Sequence, residues 1–540
     1  MTDVALSIQD LRIALPAWSD RKLAVAGVSL DIRQKEILCI VGESGSGKSL
    51  MGKAILGLLP GPHVRAVGGK ILLEGRNLFD LSDDEMRAVR GRRIAMIFQE
   101  PMTALNPLMK VGQQIEEVLE IHTALTPPQR RERVLELIRD VHLPEPERMI
   151  ASYPHQLSGG QRQRVVIAMA LALEPALIIA DEPTTALDVT TQAQILHLIK
   201  ELQRAHGTAV LFITHDFGVV AEIADRVAVM RHGEVVEQGP ASDVLGSPQA
   251  EYTKALVAAV PGLKPRRQEA DAASNVLLRV TDLEKTYRTS SGVFGGAVRE
   301  VRAAKKVSLE LKRESSLALV GESGSGKSTL ARCIIGLESV DGGTIELDGE
   351  RISGRSRAEM RPFRKHVQMV FQDPYASLNP RQRVGDIIAL GPMLAGVGRE
   401  QAIAEARELL RHVGLKPDAV DRYPHEFSGG QRQRIGIARA LAVKPKLIVA
   451  DEPVSALDVS VQKQVLELLN DLRKSFGLSM LFITHDLRVA ATVCEEIAIM
   501  QRGEIVERGP TADIFAAPSH PYTRSLFDAV PGREWISGLG

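Results

Sequence analysis

The chain has 540 residues, 44% apolar and 25% charged. That composition suits a folded globular protein and excludes whole-chain disorder or a collagen-like repeat. Lys+Arg and Asp+Glu both number 67, so the net charge is zero and the basic excess expected of a nucleic-acid binder is absent.

The length predicts two large domains or three to four smaller ones. The opening Met1-Thr2-Asp3-Val4 lacks a basic region followed by an apolar run, so no secretory leader is expected. No apolar run approaches the roughly 18 residues of a membrane span. Cys39, Cys333 and Cys494 lie far apart without a CxxC pair. They predict neither a disulfide framework nor a cysteine-built zinc site, and a reducing compartment.

In chain order, alternating Val4, Leu6 and Ile8 predict a strand of a small antiparallel sheet. Ile37–Val41 reads as a buried strand. It runs into Gly42, Glu43, Ser44, Gly45, Ser46, Gly47, Lys48 and Ser49, followed by a helix-compatible stretch. This is GxxxxGK[ST] between strand and helix, the P-loop context. Glycines let backbone N–H groups turn inward around phosphate oxygens, and the helix N-terminus adds partial positive charge. The lysine reaches β/γ phosphates and the serine hydroxyl ligates Mg²⁺. At 153–164 the chain reads YPHQLSGGQRQR. Ser158, Gly159 and Gly160 open a helix predicted from Gln161 onward, through Arg162 to Leu173, a second anion-binding terminus. Leu177–Ala180 reads as a parallel strand that delivers Asp181 and Glu182 to the sheet edge where the P-loop opens. There Asp181 would hold Mg²⁺, usually through water, and Glu182 would position or deprotonate the attacking water. A third apolar run, 209–213, leads to His215.

The stretch 263–275, LKPRRQEADAASN, is polar and aperiodic and predicts a linker. At that length a flexible chain spans roughly 20 Å. Beyond it the chain repeats itself. YPHEFSGGQRQR stands at 423–434, ADEP at 450–453 and LFITHD at 481–486, each 270 residues after its first copy. The second P-loop is Gly321, Glu322, Ser323, Gly324, Ser325, Gly326, Lys327 and Ser328, with Thr329 following, and is offset by 279. The difference places insertions or deletions before Ser158. The period is a whole domain, and Val276, Leu278 and Val280 begin the second copy as Val4, Leu6 and Ile8 begin the first.

LSGGQ at 157–161 and FSGGQ at 427–431, each ahead of an ADEP strand, resemble the signature of ABC ATPases over almost all of both halves. The resemblance implies an α/β fold of two tandem P-loop ATPase domains, 4–262 and 276–532. Each would have a RecA-like parallel-sheet core, an antiparallel β subdomain and a helical subdomain. It implies ATP and Mg²⁺ as cofactors. Gln99 and Gln372 resemble the Q-loop glutamine, Asp188 and Asp458 the D-loop aspartate, and His215 and His485 the switch histidine. Tyr287 resembles the adenine-stacking aromatic, where the first half has Leu15 with Trp18 nearby. In the family, one half's signature closes over the other's nucleotide. One site would then combine Gly42–Ser49, Asp181, Glu182 and His215 with Ser428, Gly429, Gly430 and Gln431. The other would combine Gly321–Ser328, Asp451, Glu452 and His485 with Ser158–Gln161. Ser49, Gln99, Asp181, Ser328, Gln372 and Asp451 would face the metal. Neither glutamate nor either histidine is replaced, so two hydrolytic sites are expected.

ALNP (104–107), SLNP (377–380) and the paired endings EYTKALVAAVPG and HPYTRSLFDAVPG resemble the importers of dipeptides, oligopeptides, nickel and glutathione. That branch implies two integral-membrane permeases, a periplasmic solute-binding protein acting through them, and a place on the cytoplasmic face of the bacterial inner membrane. No cysteine follows Cys494, so the iron–sulfur cluster of some members is not expected. An exporter ATPase is the nearest alternative. A ribosome-acting relative fits poorly with the short linker, and a DNA-repair relative with the absence of zinc modules and heptads.

Overall fold

The structure is a computed structural model and describes residues 4–185, 187–265, 275–290, 298–455 and 457–538. The predicted linker falls largely outside them, since 266–274 are not described. The chain divides into two compact units. One is Met1–Val260 with Pro531–Trp535, the other Pro261–Val530 with Ile536–Gly540.

In the first unit, β1 (Val4–Ala14), β2 (Leu23–Arg33), β4 (Arg65–Leu73) and β5 (Arg76–Asn77) form an antiparallel sheet in the order β2-β1-β4-β5. A six-stranded sheet runs β10-β9-β3-β8-β7-β6. Its strands are β3 (Ile37–Val41), β6 (Ile94–Ile97), β7 (Leu177–Asp181), β8 (Ala209–Ile213), β9 (Arg226–Arg231) and β10 (Glu234–Pro240). All its pairings are parallel except β10 with β9.

Strands β3, β7 and β8 are buried at every position, and apolar throughout except for Asp181 at the end of β7, because both sheet faces are covered. Leu38, Ile40, Ile179 and Leu211 pack with Leu6, Ile8 and Ile13 of the antiparallel sheet and with Met51 and Ile55 of the helix Lys48–Ile55. Their alternates Cys39, Val41, Ile178 and Phe212 pack against the helices Val111–His122, Pro127–Asp140 and Gly159–Leu171. The side-chain period of two thus splits one strand between two cores.

The second unit repeats the plan. Its antiparallel sheet is β12-β11-β14-β15, from β11 (Val276–Ser290), β12 (Val298–Lys312), β14 (Gly342–Leu347) and β15 (Glu350–Arg351). Its six-stranded sheet is β16-β17-β18-β13-β19-β20. The strands are β13 (Ser316–Val320), β16 (Val367–Val370), β17 (Leu447–Asp451), β18 (Ser479–Thr484), β19 (Glu496–Gln501) and β20 (Glu504–Pro510). The three cysteines are buried and unpaired. Among the described residues no helix is long and apolar enough to cross a membrane.

The first signature helix starts at Gly159, two residues before the predicted Gln161, and its counterpart in the second unit starts at Gly429. Ser158 explains the shift. Its hydroxyl accepts from Gln161 N at 3.2 Å, while Gln161 Oε1 accepts from Ser158 N at 3.0 Å. This capping box stabilises a helix that begins at two glycines.

Candidate active site

Each P-loop leaves the C-terminal end of the central parallel strand, β3 or β13, and turns into a helix. Gly47 and Gly326 stand immediately before that helix with φ of 105° and 109°. A Cβ there would lie 2.4 Å from the Ala24 carbonyl oxygen and 2.0 Å from that of Ala303. Only glycine fits such a backbone against such a neighbour. Lys48 is buried, and its ammonium donates to Gly42 O at 2.6 Å, Glu43 O at 2.8 Å and Ser46 Oγ at 3.2 Å. Lys327 donates to Gly321 O at 2.7 Å and Glu322 O at 2.8 Å.

The neighbouring strands β7 and β17 deliver the carboxylates. Ser49 Oγ donates to Asp181 Oδ1 at 2.8 Å, and Ser328 Oγ to Asp451 Oδ1 at 3.2 Å. Burial pushes both aspartates above the usual carboxylate range, against the serine hydrogen bonds and nearby lysines. Glu182 and Glu452 follow with φ of 48° and 45°, a left-handed backbone that non-glycine residues seldom adopt. Their amides are fixed by Ile213 O and Ile483 O, both at 2.9 Å.

Donors converge on each glutamate. Glu182 receives Gln99 Nε2 at 3.0 Å and Thr185 Oγ1 at 3.0 Å, with His215 Nδ1 3.2 Å away. Glu452 receives Gln372 Nε2 at 2.9 Å, with His485 Nδ1 at 3.2 Å. Ser455, which matches Thr185, donates instead to the Glu452 backbone carbonyl at 3.2 Å. Burial opposes charge on Glu182 and Glu452, but the histidine's hydrogen bond and charge prevail and hold both carboxyls below their ordinary range. Burial likewise opposes charge on the two histidines, and the glutamates raise them above theirs.

Within each unit the structure therefore joins P-loop, Asp-Glu pair, glutamine and histidine into one cluster. Other predicted residues are engaged elsewhere. Asp188 caps the helix Val189–His206 through Thr191 N at 2.9 Å, and Asp458 caps Val459–Phe476 through Val461 N at 3.0 Å. Ser158 and Ser428 cap their own helices. A Cβ on Gly160 or Gly430 would strike Thr191 Cγ2 or Val461 Cγ1 at 2.4 Å, so each signature glycine lies tight against the helix that the aspartate caps. Leu15 packs against the core, whereas Trp18 is 76% exposed, its ring edge-on to His63. Tyr287 is half-buried, with Lys285 Nζ 5.6 Å from its ring centre. Sequence reasoning missed Thr185, whose neighbours in TTALD give no sign that its hydroxyl turns to Glu182. It also missed Arg21, which donates to Gly45 O in the P-loop.

The ABC transporter family profile matches residues 25–185 and 304–455, which hold each cluster's P-loop, glutamine and Asp-Glu pair but not its histidine. The chain belongs to the ABC transporter family. Its two halves are ATPase domains of the P-loop fold, and they bind ATP. The profile for the oligopeptide/dipeptide transporter C-terminal region matches 236–286 and 506–534. The chain is 47% identical to the peptidoglycan transport ATP-binding protein YejF of Agrobacterium fabrum, over 98% of this chain and 97% of that protein. It is also 47% identical to the glutathione import ATP-binding protein GsiA of Escherichia coli O157:H7, over 98% of this chain and 90% of that one.

Proposed function

We propose that this chain is the ATP-hydrolysing subunit that powers an importer of short peptides or related small solutes across the bacterial inner membrane. The observation that carries this is the coincidence, twice in one chain, of a complete hydrolytic cluster and the oligopeptide-type C-terminal region. The domains would extend over 4–262 and 276–532. Two separate permeases would dock on the chain at the cytoplasmic face, with a periplasmic binding protein delivering the solute.

The chemistry follows from the clusters. Lys48 and Lys327 give up their loop carbonyls for the β/γ phosphates of ATP, and the loop amides complete the cradle. Ser49 with Asp181, and Ser328 with Asp451, are paired hard oxygen donors that fit Mg²⁺. Among the described residues no group of three or more His, Cys, Asp or Glu side chains is placed to hold a metal ion. When bound, Mg²⁺ supplies charge neutralisation on the phosphates. Gln99 and Gln372 engage the glutamates through their amide nitrogens, which leaves their oxygens for the metal. Glu182 and Glu452 stay ionised and accept a hydrogen bond from the attacking water. Their lowered basicity favours orienting that water over removing its proton before the phosphate bond breaks. The histidines, each with Nδ1 3.2 Å from its glutamate, hold the carboxylates in place.

The test is an affinity pull-down from detergent-solubilised native membranes with the double variant Glu182→Gln, Glu452→Gln and ATP, read by mass spectrometry. Two multi-span permeases in stoichiometric amounts are expected. Recovery of ribosomal or DNA-bound proteins with no permease would overturn the import proposal and leave the ATPase chemistry standing.

A further inference from the structure

Both C-terminal regions send one side chain back to the P-loop. Tyr252 lies in the helix Glu251–Val257 and Tyr522 in the helix Pro521–Asp528. The Tyr252 hydroxyl accepts from Glu43 N at 3.2 Å, and the Tyr522 hydroxyl from Glu322 N at 3.1 Å. Burial pushes the Tyr252 hydroxyl up to about 12, so it remains a neutral phenol, and it also hydrogen-bonds the Glu43 side chain.

The contact falls at a sensitive place. Glu43 and Glu322 each carry the tyrosine's hydrogen bond on the amide and the P-loop lysine's on the carbonyl, the latter at 2.8 Å in both halves. A single residue thus separates the phenol from the ammonium that meets phosphate. The preceding glycine is hemmed in on another side. A Cβ on Gly42 would lie 2.1 Å from Met230 O, and on Gly321 the same distance from Met500 O.

The tyrosines are themselves placed by a carboxylate on the last strand of each sheet. Glu237 accepts from Gln249 N at 2.7 Å and Ala250 N at 3.1 Å. Glu507 accepts from Ser519 N at 2.7 Å and His520 N at 3.1 Å. These bonds fix the turn just before each helix. The same three-part arrangement therefore occurs in both halves: strand carboxylate, pinned turn, tyrosine on the P-loop.

We infer that the C-terminal regions are working parts of the nucleotide sites, with Tyr252 and Tyr522 as positioning residues that hold the first turn of each P-loop in its phosphate-receiving shape. This rests on the nucleotide-site assignment and adds to it. Neither tyrosine is placed at the γ-phosphate. The hydroxyls organise the loop before chemistry and serve ADP and ATP alike.

The test uses the full chain with Tyr252→Phe, Tyr522→Phe and the double variant, which keep the rings and remove only the hydroxyls. Equilibrium binding of fluorescent ATP and ADP is measured with magnesium, alongside steady-state hydrolysis and thermal melting. One neutral hydrogen bond predicts a loss of about three- to tenfold in affinity at each altered site. The loss should be equal for ATP and ADP, with KM rising in step and kcat little changed. Amide hydrogen exchange should quicken at Glu43 in the first single variant and at Glu322 in the second, which reports on the loop whatever the variant's yield. A merely structural role would lower the melting temperature and kcat at unchanged KM, and that result overturns the inference. So does unchanged binding and exchange in a folded double variant. If the unaltered chain binds no ATP, the nucleotide-site assignment itself fails.

Discussion

Replacing Glu182 or Glu452 with glutamine tests the proposal that both halves hydrolyse ATP. Glutamine keeps the volume and removes the charge that the neighbouring donors converge on. Those are Gln99, Thr185 and His215 in the first half, and Gln372 and His485 in the second. Losing a positioned carboxylate at a hydrolytic centre lowers its rate by about 10²–10⁴. If the halves work equally and independently, either single variant keeps about half the turnover, set by the untouched site. The double variant then falls by about 10²–10⁴. The assay is phosphate release at saturating MgATP, with nucleotide binding measured in parallel to show that only the chemistry changed. Unchanged turnover in a single variant would show that its half does not hydrolyse. Near-complete loss in a single variant would show that the halves fire only together. Either result refutes equal, independent sites.

Three further outcomes follow from the geometry. Thr185→Val removes one donor from Glu182, so its carboxyl should rise toward the ordinary range and the acidic limb of the pH–rate profile should move to higher pH. Ser455→Ala, whose hydroxyl serves a backbone carbonyl, should not move it. The Glu182–His215 pair makes stability pH-dependent in both directions. Glu182 is held low, so its contribution is present above its unfolded value, near about 4.3, and is lost as pH falls through the folded one. His215 is held high, so its contribution is full below about 6.5 and is lost as pH rises through the folded value. Melting temperature followed against pH should therefore decline less above about 6.5 in His215→Gln than in the parent; equal slopes would refute the pairing. Gly47→Ala puts a methyl at φ 105° and 2.4 Å from Ala24 O. That strain is worth about 1–3 kcal/mol, and nucleotide affinity of that half should fall with it, as read by calorimetric titration.

Much of this site is local in sequence, which is why it was legible there. A P-loop needs eight consecutive residues between a strand and a helix, and its chemistry is fixed by their types. The Asp-Glu pair and the histidines were legible because each ends an apolar run. What could not be read is what folding brings together. Gln99 and Glu182 lie 83 residues apart, and Tyr252 and Glu43 are 209 apart. The repeated YT in EYTK and PYTR was visible as a family resemblance, but nothing in its composition says that the phenol reaches a P-loop amide. The first signature helix begins two residues before the predicted Gln161 because the Ser158 capping box draws the two glycines into its first turn.

The two halves carry the same reacting groups and differ in what supports them. Thr185 adds a third donor to Glu182 that Glu452 lacks. Arg231 lies 4.8 Å from the Tyr252 ring centre, whereas the second half has Gln501 at the matching sequence position. In the second half the Arg432 guanidinium stacks on Tyr375 at 3.7 Å, joining the segment after Gln372 to the signature helix. The matching residues of the first half are Met102, which is exposed, and Arg162, which donates to Ser158 O at 3.3 Å. With Arg432 buried and Tyr375 exposed, such a stack is worth about 0.5–2 kcal/mol. That is too little to decide whether a half hydrolyses ATP, and enough to change a rate or an equilibrium severalfold. Matching side chains with unequal supporting contacts predict equal chemistry and unequal coupling. Differences between the halves should appear in how movement of the glutamine segment reaches the signature helix, before they appear in the bond-breaking step.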